Sequence, residues 1–330
     1  MSIQVIDTAQ YSQKELTSLL ADEPLKLVNL INHWPIFDAA NANQSALCDY
    51  LIKNTCNRNV AICRVKEPDK GFIQYINNGT AFNFNREQLK LHRFLEYLPH
   101  AKDSLLLQST PVSYLFDQFC DDNPMTLLGD VEPRIWLGGL SRVAAHYDDA
   151  TNIACVVSGN RHFKLFPPEQ INNLYIGPLD KTPAGAPMSL VDFHNPDFEK
   201  FPRFKEALKN CIDVPLKQGE CIYIPALWWH HVETTSNGVN CLVNYWQGGA
   251  ISTSNTITPQ DAILLSLLAF KDISIDDKKN WQHFFNFYLF GDDNEVHGHI
   301  AEEAKGVLGE LSDEIKSKVI AYLANKLKDS

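Results

Sequence analysis

The sequence lacks the features that mark several large classes of protein. None of its eight cysteines forms a C-x-x-C pair, and no apolar run reaches the roughly 18 residues that a membrane-spanning helix needs. The opening segment, MSIQVIDTAQ, has neither the basic nor the apolar region of a secretory signal. We therefore expect a cytoplasmic protein whose cysteines stay reduced and are mostly buried.

Positive charge is also scarce. The chain has 29 Lys and Arg residues against 40 Asp and Glu residues, a formal net charge of −11, and it contains no Lys/Arg block. This balance argues against a bulk electrostatic grip on nucleic acid or on an anionic membrane. Hydrophobic residues make up 45% of the 330 residues and aromatic residues 11%, which is enough for a sizeable core. We expect a globular protein of about two domains, or one large elaborated domain.

The chain divides into three parts by the texture of its sequence. Residues 1–125 mix helical and extended patterns, which predicts an α/β region that packs on a barrel. Residues 126–250 contain short runs rich in Val, Ile, Phe, Tyr and Trp, separated by Gly, Pro, Asn or Asp, as is typical of an all-β sandwich or barrel. Residues 251–330 have helical periodicity. The predicted fold class is mainly β with flanking helices and a helical C-terminal segment.

Local signals predict individual elements. Ser12–Leu20 and Asn85–Leu98 are predicted helices, and the apolar segments Leu25–Ile31 and Val60–Val65 are predicted strands. The segment Gly177–Pro202 carries five prolines and is predicted to be a long excursion over the surface.

The C-terminal part is predicted to form helices with strongly apolar faces. Thr258 suits an N-cap and Pro259 the first helical position of one helix. Two further helices have apolar residues at helical spacing. These are Trp281, Phe284, Phe285, Tyr288 and Leu289 in one, and Ile315, Val319, Tyr322, Leu323 and Leu327 in the other. Such faces need a cover, either the barrel or a second copy, and we favour a homodimer through these helices.

Residues with metal-binding chemistry are concentrated in the β part. His146 and Asp148 are two positions apart, and such residues point to one face of a strand. This H-x-[DE] pattern alone is weak, because His231 and Glu233 repeat it. Strand alternation lets only one of His230 and His231 point inward with them. Two histidines and one carboxylate form the facial triad of non-haem Fe(II) oxygenases; the alternative is that the paired histidines are buried in an aromatic cluster.

Several blocks around these residues carry a resemblance to a known family. They are HYDDATNIACVVSGNRHFKLFPP, VDFHNPDFEKFPRF, GECIYIPALWWHHVETT and VNYW. In this order and spacing they resemble the JmjC/cupin-like Fe(II)- and 2-oxoglutarate-dependent hydroxylases, most of all the branch that contains the asparaginyl hydroxylase that inhibits hypoxia-inducible factor. The resemblance is strong over about residues 130–250 and looser before them. It implies a double-stranded β-helix, the cupin or jelly-roll barrel.

The resemblance also implies the site, position by position. The iron ligands would be His146, Asp148 and His230, and the contacts to the cosubstrate 2-oxoglutarate would be Asn152, Arg161 and Asn244. The first of the paired histidines is the ligand in such proteins, so the second would point outward or pack behind the site. A dicarboxylate in a barrel mouth needs a fixed cation for its distal carboxylate, and the arginine would supply it.

The chain departs from the family pattern at three positions. Arg161 stands where a lysine is common, and its planar guanidinium requires a reshaped pocket. Leu106 stands where the asparaginyl hydroxylase has a tyrosine, and Val143 stands where it has a hydroxyl residue. Gln108 and Arg142 lie nearby in sequence and could replace the missing contacts. Otherwise the cosubstrate binds weakly, or it is a different 2-oxoacid.

The activity implied is hydroxylation of a protein side chain or a small molecule with Fe(II), 2-oxoglutarate and O₂, giving succinate and CO₂. Trp246 is a candidate substrate contact, and Trp228 and Trp229 could line the same cleft; core packing is the alternative for all three. The acidic chain makes RNA less attractive as a substrate. Two other classes stay open: a metal-dependent cupin without oxygen chemistry, such as an isomerase, and a non-catalytic interaction protein.

Overall fold

Sixteen strands and eleven α-helices are found in the part of the chain that the structure describes. The structure is a computed structural model and describes residues 2–76, 80–183, 185–249 and 257–328. The strands are β1 (Gln4–Asp7), β2 (Leu25–Val28), β3 (Asn59–Val65), β4 (Phe72–Ile73), β5 (Tyr75–Ile76), β6 (Ala81–Phe82), β7 (Phe84–Lys90), β8 (Ser104–Pro111), β9 (Arg134–Gly138), β10 (Arg142–His146), β11 (Thr151–Ser158), β12 (Arg161–Phe166), β13 (Ile212–Leu216), β14 (Cys221–Ile224), β15 (Trp229–Thr234) and β16 (Asn240–Gln247). The helices are α1 (Gln13–Leu19), α2 (Pro35–Ala42), α3 (Gln44–Asn54), α4 (Leu91–Tyr97), α5 (Val112–Leu115), α6 (Phe119–Asp122), α7 (Phe204–Lys209), α8 (Pro259–Ala269), α9 (Ile275–Phe290), α10 (Asp293–His297) and α11 (Asp313–Lys328).

The strands form two main sheets. The larger sheet has nine strands in the order β1-β2-β14-β11-β16-β9-β8-β3-β7, and the smaller has five in the order β13-β12-β15-β10-β4. From β9 to β16 the chain crosses repeatedly between the two sheets, and the pairs that these strands make with one another are antiparallel. This is a jelly-roll arrangement of the cupin type. The predicted mainly β fold with helices at its flanks is confirmed.

Side chains that point inward from both sheets form the core between them. Some strands alternate buried and exposed residues, and others are buried on both faces. Val156 and Leu242 from the larger sheet pack with Phe163, Leu165 and Val214 from the smaller one. A second cluster lies on the other face of the larger sheet, where helices α2 and α3 cover it. All eight cysteines lie in the described part of the chain and none forms a disulfide bond; five of them are buried.

Helix α1 illustrates how local signals place an element. The Ser12 side chain accepts a hydrogen bond from the Glu15 backbone N–H, and the Glu15 carboxylate accepts one from the Ser12 backbone N–H. This capping box satisfies donors that the first helical turn leaves free. The predicted helix at Ser12–Leu20 is therefore present, and the strands predicted at Leu25–Ile31 and Val60–Val65 correspond to β2 and β3.

The helix predicted over Asn85–Leu98 is wrong in its first half. Residues 84–90 form β7, which pairs with β3 along seven residues, and only α4 is helical. Pairing along a whole strand outweighs the helical spacing of Leu89, Phe94 and Leu98, since local propensity is a weak prior.

The segment Gly177–Pro202 is not a simple surface excursion. It has no regular helix or strand among its described residues. However, Met188, Ser189 and Val191 are buried, and the Ser189 backbone N–H donates to the Ala145 carbonyl on β10 over 2.8 Å. The apolar residues between the prolines pack against the smaller sheet, and the segment becomes a wall of the site described below.

The chain divides into two compact units, residues 1–256 and 257–330. The second unit contains α8 to α11, and Thr258 caps α8 through a capping box with Asp261, as predicted. No helix in the described part of the chain is both long enough and apolar enough to span a bilayer. The division into residues 1–125, 126–250 and 251–330 stays a prediction, and its last boundary lies outside the described residues.

Candidate metal centre

A cavity of about 150 Å³ lies between the two sheets at the end of β10 and β15. All seven residues that the sequence singles out line it: His146, Asp148, Asn152, Arg161, His230, Asn244 and Trp246. The other lining side chains are mostly apolar, and three of them, Pro183, Ala186 and Met188, come from the segment over 177–202. The sequence therefore predicts which residues converge on the cavity. It could not show that the segment over 177–202 forms part of the cavity wall.

His146 and His230 lie on neighbouring strands. They are register partners in the antiparallel pair β10–β15, and their ring centroids are 4.4 Å apart. The register shifts between Val143 and His146, and such irregularities re-aim side chains at strand ends. Asp148 lies just past the end of β10, in a loop whose Asp148 carbonyl accepts the Leu227 backbone N–H over 2.8 Å. The carboxylate is thus held by a loop and not, as expected, by the strand.

The tautomers of both histidines are fixed by backbone carbonyls. Nδ1 of His146 donates to the Ala144 carbonyl over 2.9 Å, and Nδ1 of His230 donates to the Trp228 carbonyl over 3.0 Å. Because a carbonyl only accepts, each Nδ1 carries the proton and each Nε2 keeps its lone pair. Metal-ligating histidines are commonly oriented in this way. Burial, together with the His230 imidazole, also lowers the pKa of His146 to about 3, so its ring is neutral at physiological pH.

Asp148 is the carboxylate of the group. Its Oδ2 lies 3.5 Å from Nε2 of His230 and accepts a hydrogen bond from Nδ2 of Asn152 over 3.3 Å. Burial raises the pKa of Asp148, and the His230 imidazole and the Asn152 amide act against this rise. The carboxylate therefore lies where a cation would stabilise its charged form.

The donor chemistry of these three side chains fits a divalent transition metal. Two neutral imidazoles and one carboxylate are the ligands of non-haem iron sites that keep open positions. Their spacing does not yet form a closed shell: within the described ranges, no three His, Cys, Asp or Glu side chains stand ready to hold a metal ion together. Metal binding by the three residues is therefore a proposal.

Arg161 is a buried cation that faces the same cavity. It is 7% exposed, and its Nε has no hydrogen-bond partner. Its Nη1 donates to the Ser141 hydroxyl over a long 3.4 Å, and no carboxylate of the described residues lies within ion-pair distance. Burial lowers the pKa of Arg161 to about 10, so the guanidinium stays charged at neutral pH. An unpaired buried charge is costly, and an anionic ligand would compensate it.

The three positions that depart from the family pattern all line the cavity. Leu106, Val143 and Gln108 line the cavity, and Oε1 of Gln108 accepts a hydrogen bond from the Cys63 thiol over 3.1 Å. Arg142 does not replace them, because its guanidinium lies 3.9 Å from the ring centroid of Phe72 and 3.5 Å from the Asp192 carboxylate. Of the two candidates considered from the sequence, only Gln108 faces the cavity.

The three tryptophans of the candidate substrate cleft separate into two groups. Trp246 lines the cavity, and the Arg134 guanidinium lies 5.5 Å from its ring centroid. Trp228 is buried in the core between the sheets, and Trp229 packs edge-on against Tyr147 at 5.1 Å. Core packing therefore accounts for Trp228 and Trp229, as the alternative interpretation had it.

His231 points away from the candidate metal ligands. Its ring stacks on Phe193 with centroids 4.4 Å apart and planes at 12°, and it is 1% exposed. Both ring nitrogens lack a hydrogen-bond partner. Alternation along β15 thus directs His230 into the cavity and His231 into an aromatic cluster on the opposite side.

Two cavity residues with polar contacts were missed in the sequence. Trp136 donates from Nε1 to Oδ1 of Asn244 over 2.8 Å, and Ser141 is the hydrogen-bond acceptor for Arg161. Both lie in the run IWLGGLSRV, which reads only as apolar strand. Period-two alternation from Arg134 to Gly138 places Trp136 on one face, but its partner on β16 depends on a register that one sequence does not show.

Comparison with known proteins agrees with this architecture. The chain matches the family described as a cupin-like domain over residues 13–248. JmjC domain-containing protein D of Dictyostelium discoideum is 29% identical over 234 residues, which cover 66% of this chain and 50% of that protein. Jumonji C domain-containing protein 5 of Drosophila melanogaster is 24% identical over 247 residues, covering 73% and 58%. Lysine-specific demethylase JMJ32 of Arabidopsis thaliana is 32% identical over 142 residues, covering 34% and 40%.

The match extends beyond the barrel strands. It begins at residue 13, at the first residue of α1, and ends at residue 248, just after β16. The chain spans about half the length of the curated relatives it matches. Resemblance to the asparaginyl hydroxylase branch in particular stays a prediction. The sequence match, the jelly-roll topology and the JmjC relatives lead to one conclusion: this chain belongs to the family of cupin-like, JmjC-type domains.

Proposed function

We propose that this protein is an Fe(II)- and 2-oxoglutarate-dependent oxygenase that hydroxylates a protein side chain or a small molecule and releases succinate and CO₂. The observation that carries the proposal is the unpaired guanidinium of Arg161, buried in the cavity that two tautomer-fixed histidines and Asp148 share. A dicarboxylate cosubstrate would supply the anionic partner that this arginine lacks.

The residues divide into two sets by their chemistry. His146, Asp148 and His230 would hold the metal through two Nε2 atoms and a carboxylate oxygen. When bound, Fe(II) would supply the oxidation chemistry with O₂, which no side chain can perform. The protein supplies the ligand orientation, through the Ala144 and Trp228 carbonyls, and largely apolar cavity walls that limit access of water.

Arg161 would bind the distal carboxylate of 2-oxoglutarate at the inner end of the cavity. Asn152 and Asn244 are 6% and 2% exposed; the Asn152 amide donates to Asp148, and the Asn244 amide donates to Asn152. They would orient the other end of the cosubstrate toward the metal ligands. Gln108 is a further amide on the wall and could provide the polar contact that Leu106 does not.

The cavity lining favours an uncharged target group. Among the described lining residues, Asp148 is the only acidic side chain, and the remaining wall near the segment over 177–202 consists of Ile73, Pro183, Ala186 and Met188. The Arabidopsis relative is named a lysine-specific demethylase. A lysine ammonium group would find no free carboxylate in this cavity, so we favour hydroxylation of a neutral side chain or molecule.

The test is an anaerobic titration of the purified protein with Fe(II), with and without 2-oxoglutarate, followed by visible absorbance. Chelation of the metal by the oxoacid should produce a charge-transfer band, and Asp148→Ala should abolish it. Lys164 lies on the outer face of β12 and pairs with the Asp213 carboxylate. Lys164→Ala removes this ion pair and should keep the band.

Each other outcome selects an alternative. Metal binding without a band would indicate a different 2-oxoacid, and a screen of other oxoacids would follow. Metal binding without any oxoacid partner would favour a cupin without oxygen chemistry, such as an isomerase. Absence of metal binding would favour a non-catalytic interaction protein.

We also propose that the protein is a homodimer through its C-terminal helices. In α9, Trp281, Phe284, Tyr288 and Leu289 are all exposed, and they lie on the apolar face that the sequence predicts. A contiguous aromatic face of this kind is typical of an interaction site. The cytoplasmic location likewise stays a prediction.

A further inference from the structure

A chain of hydrogen bonds connects Trp136 on β9 to Asp148, the carboxylate of the candidate metal centre. Nε1 of Trp136 donates to Oδ1 of Asn244 over 2.8 Å. Nδ2 of Asn244 donates to Oδ1 of Asn152 over 3.3 Å, and Nδ2 of Asn152 donates to Oδ2 of Asp148 over 3.3 Å. The three strands β9, β16 and β11 are adjacent in the larger sheet, so the chain runs across the sheet toward the cavity.

The direction of this chain is determined at its two ends. An indole N–H can only donate, and a carboxylate can only accept. Each asparagine between them must therefore turn its oxygen toward Trp136 and its NH₂ group toward Asp148. Rotating one amide by half a turn would break two bonds of the chain, and rotating both would break the first and the last. Asn152 and Asn244 are buried, so water does not readily compensate such a loss.

We propose that Trp136 is a positioning residue of the metal centre: its indole N–H sets the orientation of both asparagine amides and so keeps an N–H donor on the Asp148 carboxylate. The inference rests on the proposed function, in which Asp148 is a metal ligand. A carboxylate whose rotation is already restricted loses less conformational freedom when a metal binds, and partners behind the ligands commonly affect metal affinity about 10- to 100-fold.

The inference also changes the interpretation of Asn152 and Asn244. The resemblance implies that they contact the cosubstrate, whereas their hydrogen bonds here run to each other and to Asp148. One amide can serve both purposes, because Asn152 and Asn244 each have a second N–H. The metal should therefore depend on Trp136 even when no oxoacid is present, and this distinguishes the proposal from a role in cosubstrate binding.

The experiment is a double-mutant cycle on Mn(II) affinity, measured by calorimetry without oxoacid. Trp136→Phe keeps an aromatic ring, although a smaller one, and removes the N–H donor; it should weaken Mn(II) binding about tenfold. Asn152→Ala should weaken it by at least as much. In the Asn152→Ala background, Trp136→Phe should add less than about a twofold change, because the connection is already cut.

Trp34→Phe is the matched control. Trp34 is fully buried in the core cluster between the larger sheet and helices α2 and α3, and its Nε1 donates to the Pro124 carbonyl over 3.0 Å. Its replacement also removes one indole donor from a buried environment, so it should lower the unfolding temperature while leaving Mn(II) affinity unchanged. A loss of affinity in Trp34→Phe as large as in Trp136→Phe would show that the effect is general destabilisation and would overturn the inference.

The outcomes separate this inference from the proposed function. A wild-type protein that binds no Mn(II) would contradict the metal site itself, and the positioning role with it. Wild-type binding with unchanged affinity in Trp136→Phe, or losses that multiply in the double variant, would overturn only the positioning role. A metal-independent check is the NMR signal of the Asn152 side-chain amide, which Trp136→Phe should shift; an unmoved signal would also overturn the inference.

Discussion

Nη1 of Arg161 donates to the Ser141 hydroxyl over 3.4 Å, which is a long hydrogen bond for a buried guanidinium. No carboxylate of the described residues pairs with this guanidinium, so its charge is uncompensated in that part of the chain. Arg161→Gln should therefore weaken 2-oxoglutarate binding by about 100-fold or more, since truncating a buried charge pair costs several kcal/mol. The same variant should raise the free energy of unfolding of the ligand-free protein by about 1 kcal/mol. Calorimetry and urea unfolding would measure the two effects.

Arg142→Gln is the control for this variant. Arg142 pairs with Asp192 and lies over Phe72, so its replacement should keep the 2-oxoglutarate affinity and lower stability. An Arg161→Gln protein that binds 2-oxoglutarate as well as wild type would refute the assigned role.

Replacing the two adjacent histidines of β15 should have different effects: one replacement should reduce metal affinity, and the other should reduce stability. His230→Ala removes a candidate ligand and should reduce Mn(II) affinity about 100-fold or more. His231→Ala removes a ring stacked on Phe193 and should lower the free energy of unfolding by about 2 kcal/mol, because it leaves a cavity in an aromatic cluster. Its Mn(II) affinity should stay within about threefold of wild type. If His231→Ala abolished metal binding and His230→Ala did not, the ligand assignment would be wrong.

A single hydroxyl group should strengthen cosubstrate binding. Val143 lines the cavity and stands where the asparaginyl hydroxylase has a hydroxyl residue. Val143→Thr adds a donor of nearly the same size, and one net hydrogen bond of about 1 kcal/mol corresponds to roughly fivefold tighter 2-oxoglutarate binding. Val156→Thr makes the same change in the core between the sheets and should only destabilise the protein. Equal oxoacid affinity in Val143→Thr and wild type would show that this departure is unimportant.

Stability should depend on pH through Glu233 on β15. Burial would raise its pKa, but hydrogen bonds from His162 and His194, over 3.2 and 2.5 Å, lower the pKa of Glu233 to about 2. This carboxylate therefore stabilises the fold fully above pH 4.5 and loses its contribution as the pH falls toward 2. The hydrogen bond to Glu233 is the main reason that the pKa of His162 is raised above 6.5. The imidazolium therefore stabilises the fold below pH 6.5, and this stabilisation is lost as the pH rises further.

Glu233→Gln should therefore cost most between pH 4.5 and 6.5. We expect a loss of about 2 kcal/mol at pH 5.5 and a smaller loss at pH 8.5, from urea unfolding at both values. Glu206→Gln removes an exposed helical pair with Lys209 and should show no such difference between the two pH values. A cost for Glu233→Gln that is the same at both would contradict the role of His162.

The aromatic face of α9 should control the oligomeric state. Trp281→Glu places a charge on this face and should convert a dimer into a monomer in light scattering coupled to gel filtration. Leu190→Glu changes another exposed apolar residue, which is 42% exposed, and should leave the mass unchanged. A wild-type protein that is monomeric at micromolar concentration would end the dimer proposal.

The sequence predicted best where local chemistry decides the structure. Short buried strands between Gly, Pro and Asn residues, the helix near Ser12 and the N-cap at Thr258 were predicted because their signals lie within a few residues. The error at residues 84–90 arose because a strand depends on its partner β3, which is distant in sequence. The prolines of the segment over 177–202 predicted an excursion over the surface, but they could not show that Met188 is buried and lies against the cavity.

The candidate site could be predicted where its residue types are distinctive. Residue type and spacing indicated His146, Asp148 and one of the two paired histidines, and the choice of His230 over His231 needed the resemblance. Trp136 illustrates the limit of such reasoning, because the hydrogen bond to Asn244 depends on the register between β9 and β16. A side chain that acts through its neighbours carries no motif of its own.

The larger sheet makes the barrel dependent on the first part of the chain. Its inner strands β14 and β9 pair with β2 and β8, which come from residues before 112. A fragment limited to residues 126–250 would expose two unpaired backbone edges, each able to bind another strand. Such a fragment would tend to aggregate, so we expect residues 126–250 to fold into the barrel only together with the strands that precede them.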